Sequence, residues 1–157
     1  MADTQRVREN SNVRSTNAIV ASATVIEIGD MVSNVTAGAA SASAFAWDTN
    51  IGTTQTAFQN VFLGVATRGS DSGDTEDIRV VTGGAFVEFA CASTTWIIGD
   101  LVGPADSGSS TLQDQTVVSV ATAGLAIGRV AKNYTSATTK VLVEIVGILD
   151  GGVQTVI

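Results

Sequence analysis

Short apolar segments, interrupted by Gly, Ser, Thr and Asp residues, follow one another along most of the chain. Residues 85–89, with the sequence Ala-Phe-Val-Glu-Phe, place apolar side chains at alternate positions, and residues 141–145 follow a similar pattern. A period of two residues is typical of a strand that buries one face. The pattern predicts strands at residues 61–66, 78–82, 85–90, 116–120, 125–131 and 140–146. Gly83-Gly84 separates two of these segments and predicts a hairpin turn between them.

The segments between the strands predict little helix. Residues 54–60 fit a two-turn helix that would place Phe58 and Phe62 one above the other. Residues 36–44 are rich in Ala, but Gly38 and the serines weaken the helical signal and favour a loop. We also expect a short strand at residues 45–47 and a turn-rich loop at residues 103–108.

A repeated turn motif divides the chain into two halves. Ile-Gly-Asp-Met-Val at residues 28–32 returns as Ile-Gly-Asp-Leu-Val at residues 98–102. The apolar segments that follow each copy match as well, at separations of 70 residues for the turn, 64 for the next segment and 63 for the last. The order of the segments is kept while the connections differ in length, as expected of a duplicated structural unit. The sequence therefore predicts a small all-β barrel of two duplicated halves with at most one short helix.

The two ends of the chain differ in character from this body. Residues 1–17 are polar and hold too few apolar side chains to offset the entropy lost on ordering. We expect an extended N-terminal arm at residues 1–23 and a β-barrel domain at residues 24–150. Residues 1–17 of the arm either become ordered only against a partner or form a flexible tail without a role. Residues 151–157 form a β-prone C-terminal tail, which we expect to pair within the domain or with a neighbouring subunit.

The charge of the chain argues against some classes of partner. Its 157 residues include 8 basic and 15 acidic ones, giving a net charge of −7. Because nucleic-acid affinity comes largely from Lys and Arg on phosphates, this balance opposes nucleic-acid binding. Three of the eight basic residues nevertheless lie in the first 14 residues: Arg6, Arg8 and Arg14. A mildly basic arm on an acidic body suits an acidic protein surface, where Arg can pair with carboxylates through two hydrogen bonds.

The sequence offers little catalytic chemistry. There is no His, which removes the common nucleophile–base pairs and the commonest zinc ligand. Cys91, the only cysteine, reads as a small core residue. Asp30 and Asp100 occupy matching turns, which the duplication explains without a carboxylate pair for hydrolysis. The acidic loop at Asp71–Asp77 lacks the spacing of a calcium-binding loop and reads as solvated. We expect no enzyme activity, no cofactor and no metal.

Nothing in the sequence indicates export or a membrane span. The N-terminus lacks the apolar core of a signal peptide, and no apolar run approaches the roughly 18 residues of a membrane span. We therefore expect a soluble protein that is made in a cytoplasm.

The order of the motifs resembles a family, the small capsid cement or head decoration proteins of tailed phages. The resemblance covers about residues 24–147 and rests on six segments. They are Gly29-Asp-Met-Val, Phe62-Leu-Gly-Val-Ala, Ile78-Arg-Val-Val with Gly84-Ala-Phe-Val-Glu-Phe, Trp96-Ile-Ile-Gly-Asp-Leu-Val, Ile127-Gly-Arg-Val-Ala and Val141-Leu-Val-Glu-Ile.

The resemblance implies a small barrel or tulip-like fold without catalytic residues. It implies a trimer that binds the major capsid protein on the outside of a phage head, at local three-fold positions. A capsid-contact role for Arg6, Arg8 and Arg14 is our own inference from their charge. Two alternatives remain open: a tail or fibre adaptor or carbohydrate-binding module that uses Trp47 or Trp96, and a hydrolase that uses acidic residues.

Overall fold

A computed structural model describes residues 7–8, 13–74, 76–108 and 110–153 of the chain, with residues 7–8 as backbone only. Strands make up 53% of the protein, so the all-β prediction is confirmed. The strands are β1 (Val7–Arg8), β2 (Arg14–Ala18), β3 (Met31–Val35), β4 (Gly38–Ser41), β5 (Phe62–Ala66), β6 (Ile78–Trp96), β7 (Leu101–Ser107), β8 (Thr111–Ser119), β9 (Gly128–Val130) and β10 (Tyr134–Val146). The single α-helix of the described residues is α1 (Ile51–Gln59), and 3₁₀ turns lie at Ala42–Ala44, Ala123–Leu125 and Ile148–Asp150.

Five of the strands form a closed barrel. They pair in the order β10-β9-β7-β8-β6, and β10 pairs with β6 to complete the circle. All of these pairings are antiparallel except that of β6 with β8, which is parallel and joins Ala90 to Thr116 and Cys91 to Val117. Closure leaves no free edge along the paired positions.

The first half of the chain repeats this order of pairings. Strand β2 pairs with the beginning of β6, and the same part of β6 pairs with β5. Strand β5 then pairs with β3, and β3 pairs with β4. A parallel bridge between Val20 and Ala39 stands where the second half has the β6–β8 pairing. The chain therefore contains two units of the same connectivity, a first unit at residues 14–82 and a second unit at residues 85–146.

The registers of the two units agree position by position. Val32 pairs with Gly64 in the first unit, and Val102 pairs with Gly128 in the second. Ala18 pairs with Ile78, and the matching partners in the second unit are Phe89 and Val141. The duplication thus reaches back to residue 14, before the first repeated motif.

Strand β6 belongs to both units. Its first five residues end the first unit and its remainder begins the second, so the predicted hairpin at Gly83-Gly84 is wrong. Gly83 is the partner of both Arg14 and Val146, and the register shifts beside each of these pairs. Gly84 has a φ of 69°, which a glycine adopts without strain. The two glycines form an irregularity where one strand changes partners, because tertiary pairing continues on both sides of them.

Helix α1 confirms the prediction of one short helix. Asn50 caps it by accepting a hydrogen bond from the Thr53 amide at 3.0 Å. Phe58 is fully buried, with its ring centroid 5.8 Å from that of Phe62, as the spacing predicts. The Gln55 side chain donates a 2.8 Å hydrogen bond to the Pro104 carbonyl and ties the helix to the second unit.

Several irregular segments differ from the predictions. The expected loop at residues 36–44 contains strand β4 and a 3₁₀ turn, because small residues allow close pairing with β3. Residues 45–47 are not a strand, since Phe45 packs edge-on against Phe58 at 5.3 Å instead of joining the sheet. The expected loop at residues 103–108 is mostly strand β7, with a register shift between Pro104 and Asp106 where the proline cannot donate a hydrogen bond.

The N-terminal arm is not a free extension throughout. Its residues 14–18 form β2, whose backbone pairs with β6 inside the first unit. Residues 7–8 form β1, which pairs with Val87 and Phe86 of the second unit. Main-chain hydrogen bonds order these polar residues, so the expectation that they need a partner is wrong for this part of the arm. Of the C-terminal tail, the structure describes residues 151–153, and residues 154–157 lie outside the described part.

Candidate interaction surfaces

The two Gly-Asp turns have the same internal geometry. Gly29 and Gly99 adopt φ angles of 96° and 94°, which strongly favour glycine. The Asp30 carboxylate accepts a hydrogen bond from the Glu27 amide at 2.8 Å, and the Asp100 carboxylate accepts one from the Ile97 amide at 2.9 Å. Each aspartate therefore fixes its own turn, so both carboxylates serve a structural role.

The surroundings of the two aspartates differ. Asp30 is 3% exposed and accepts a 2.9 Å hydrogen bond from the Gln115 side chain, whereas Asp100 is half-buried. Burial raises the pKa of Asp30, although its hydrogen bonds from Glu27 and Gln115 oppose the shift. The carboxylates that add to this rise are those of Asp114 and Glu27, not that of Asp100. The predicted pairing of the turns by duplication is confirmed, and the hydrolase hypothesis gains no support from their surroundings.

We expect the stability of the protein to rise, relative to an Asp30→Asn variant, as the pH falls. The raised pKa means that the folded chain takes up the Asp30 proton before the unfolded chain does. As the pH falls from the raised pKa of folded Asp30 to the ordinary pKa of an aspartate, protonation of this group therefore stabilises the folded chain. The gain is about 1.4 kcal/mol per unit of pKa difference. Urea denaturation of both proteins from about pH 7 to about pH 3.5 measures the change.

Asp100→Asn is the matched control for this titration. It removes the equivalent carboxylate from a half-buried turn, so a pH trend shared by both variants belongs to the overall charge of the chain. A difference between wild type and Asp30→Asn that stays constant, or shrinks as the pH falls, would contradict the expected effect of burial.

The described residues contain no group of three or more His, Cys, Asp and Glu side chains placed to hold a metal ion. In the loop at Asp71–Asp77, Glu76 forms an ion pair with Arg68, and its amide donates to the Asp74 carboxylate at 3.0 Å. Cys91 is buried and free, as predicted, and burial raises the pKa of its thiol. These groups are engaged in the structure of the fold.

The three arginines predicted to contact a partner occupy different settings. The Arg14 side chain forms an ion pair with Asp150, which joins β2 to the C-terminal 3₁₀ turn. Arg8 is the second residue of strand β1, and Arg6 lies outside the described residues. Arg14 therefore anchors the arm to the body of its own chain.

The tryptophans do not form a shared exposed platform. Trp96 is 3% exposed and belongs to the main core, and Trp47 is half-buried and packs against that core. A carbohydrate platform that uses Trp96 is therefore wrong. Sequence reasoning missed Ile97 and Ile98, which are 67% and 58% exposed in the second Gly-Asp turn. The apolar run from Trp96 to Ile98 predicts burial, and nothing local shows that it ends at the tryptophan.

An uncharged ribbon extends next to these isoleucines. The ends of β6 and β10 pair there, joining Trp96 to Tyr134 and Thr94 to Thr138. Residues 92–95 and 135–137 are all exposed and consist of Ala, Ser and Thr. The exposed isoleucine pair, with uncharged residues beside it, is the feature of this region that favours contact with another protein.

The comparisons with known proteins add no family to this picture. Within the described residues, no helix is long and apolar enough to cross a membrane. No protein-family model, curated protein or solved structure matches this chain.

Proposed function

We propose that the protein is a structural virion component, a capsid cement or decoration protein that binds the outside of a phage head and stabilises the shell without catalysis. The order of the motifs carries this proposal. The segments that resemble the decoration proteins are those that build the Gly-Asp turns and the paired strands of both units. In this proposal the partner is the major capsid protein, and the protein acts as a trimer at local three-fold positions.

The physical basis of such a role is linkage. A protein that binds only the assembled, expanded shell shifts the equilibrium towards that shell by mass action. A trimer that engages several capsid subunits at once also gains avidity from each additional contact. The exposed ribbon and the isoleucine pair provide contact area of the required kind, and neither needs a reactive group.

The N-terminal segment supplies the electrostatic part of the contact. Arg6 and Arg8 precede the point at which Arg14 is bound to Asp150. In the proposal Arg14 holds the root of the arm, and Arg6 and Arg8 pair with carboxylates of the capsid protein. Because Arg14 acts in folding and Arg6 and Arg8 act in binding, the two roles can be tested with separate variants.

We expect deletion of residues 1–12 to weaken binding to the heads of the parent phage at least about tenfold, because it removes Arg6 and Arg8. The deletion ends before β2, so the first unit keeps its paired strand, and the second unit loses only the two-residue strand β1. Co-sedimentation with heads that lack the protein measures binding, and circular dichroism confirms the fold. The double variant Arg6→Ala/Arg8→Ala should lose binding in the same way.

Arg79→Ala is the matched control, because Arg79 is an exposed arginine on the body of the first unit. It should bind heads as wild type does. Truncated protein that binds as tightly as full-length protein would overturn the role of the arm, and a full-length chain that binds no head would overturn the proposed function.

A further inference from the structure

The equivalent ends of the two units carry different surfaces. In the second unit the end displays Ile97 and Ile98 together with Lys132, which we call the basic tip. The Ile98 amide donates a 2.7 Å hydrogen bond to the Asn133 side chain, so the Gly-Asp turn and the Lys132 loop form one surface. Lys132 is exposed, with its ammonium group 5.3 Å from the centre of the Tyr134 ring. The basic tip is therefore an exposed apolar pair that is hydrogen-bonded to a loop carrying a cation.

In the first unit the same end is a hollow bordered by acid. The hollow measures about 320 Å³ and is lined by Ser70, Asp71 and Asp74, which we call the acidic tip. Gly69 and residues 26–28, which lead into the first Gly-Asp turn, complete its lining. Ile26 and Ser70 fix its wall through two backbone hydrogen bonds of 2.9 and 2.8 Å. Asp71 and Asp74 are exposed, and the buried Ser70 hydroxyl has no hydrogen-bond partner within the described residues.

We infer that copies of this chain associate head to tail, with the basic tip of one copy seated on the acidic tip of the next. The two surfaces are opposite in charge, and one displays an exposed apolar pair whereas the other is hollow. Such a contact covers two isoleucines that are more than half exposed and places Lys132 beside Asp71 and Asp74.

The two tips belong to different units of one chain, so the contact joins unlike surfaces. A contact of this kind closes into a ring when its rotation divides a full turn, and otherwise continues as an open chain. A ring of three copies would match the trimer of the proposed function. The inference goes beyond that function and does not depend on it, because the tips join copies whether or not a shell is present.

Sedimentation velocity of the purified full-length chain, from about 10 µM to about 1 mM, tests the contact. We expect oligomers that weaken with added salt, because the charged pairs lie at an exposed interface. The basic-tip variant Ile97→Ser/Lys132→Ser and the acidic-tip variant Asp71→Lys should each reduce self-association at least about tenfold. The control Val118→Ser/Lys140→Ser makes the same changes as the basic-tip variant outside both tips and should associate as wild type does.

Mixing the two tip variants distinguishes this contact from a symmetric one. Each variant keeps one intact tip, so an equimolar mixture should form one-to-one dimers and nothing larger. A symmetric interface between like surfaces would give no such dimers. Circular dichroism of each variant shows that the fold is retained.

A wild-type chain that remains monomeric up to about 1 mM would overturn the inference. So would tip variants that associate as wild type does, or a mixture that fails to form dimers. Because no shell is present in these experiments, their failure leaves the proposed function standing. Loss of head binding with intact self-association would overturn the proposed function and leave this inference standing.

Discussion

A chain that lacks residues 1–17 should be less stable than a chain that lacks only residues 1–12 by about 3–5 kcal/mol, because both deletions remove the two-residue strand β1 and only the longer one reaches β2. The longer deletion removes four of the five residues of β2 and exposes one edge of β6 in the first unit. Each backbone hydrogen bond contributes about 1 kcal/mol net. Arg14 and its ion pair with Asp150 are lost as well. For a chain of this size the loss lowers the melting temperature by roughly 10 °C.

Thermal unfolding of the two truncated chains, followed by circular dichroism, measures the difference. The pair is matched, because the two deletions differ only by residues 13–17. Equal melting temperatures would show that β2 adds nothing to the first unit and that the arm is separate from the fold. The comparison also shows why a test of head binding needs the shorter deletion.

Replacing Gly64 by Ala should lower the free energy of unfolding by about 3 kcal/mol or more. A methyl group at this position would lie 2.0 Å from the Val81 carbonyl oxygen, inside the β5–β6 pairing. Relief requires the two strands to separate, because the obstructing atom belongs to the backbone. Gly128, the equivalent residue of the second unit, would meet the Glu144 carbonyl at 2.3 Å, and we expect Gly128→Ala to have a similar cost.

Gly124→Ala is the control for both glycine variants. No atom lies within 4 Å of a methyl group added there, so its effect should stay within about 0.5 kcal/mol. Urea denaturation gives all three values. A mild effect at Gly64 together with a large one at Gly128 would mean that the two units do not share the same packing at this position.

The repeated turn could be predicted because its signal is local. A glycine with positive φ followed by a capping aspartate is visible in five residues, and both copies fold as the repeat indicates. The first strand of each unit left no such signal. Residues 14–17 are all polar, whereas the equivalent residues 85–88 are mostly apolar, so the structural match between these strands depends on backbone pairing and is invisible in the side chains.

Gly83-Gly84 shows the limit of local pattern in another way. Two glycines between alternating segments are typical of a hairpin, yet the strand continues through them because each side pairs with a different unit. The candidate surfaces were hidden for a related reason. Ile97 and Ile98 continue an apolar run, and only the closure of the barrel at Trp96 determines that they lie outside it.

The shared strand β6 has a geometric consequence. Its 19 residues run from one unit into the other without a linker, and at about 3.3 Å per residue they span at most roughly 60 Å. A flexible connection would let two halves adjust their separation to whatever they touch. Here a continuous run of backbone connects the two units, so the molecule itself sets the distance between any two contact surfaces that they carry.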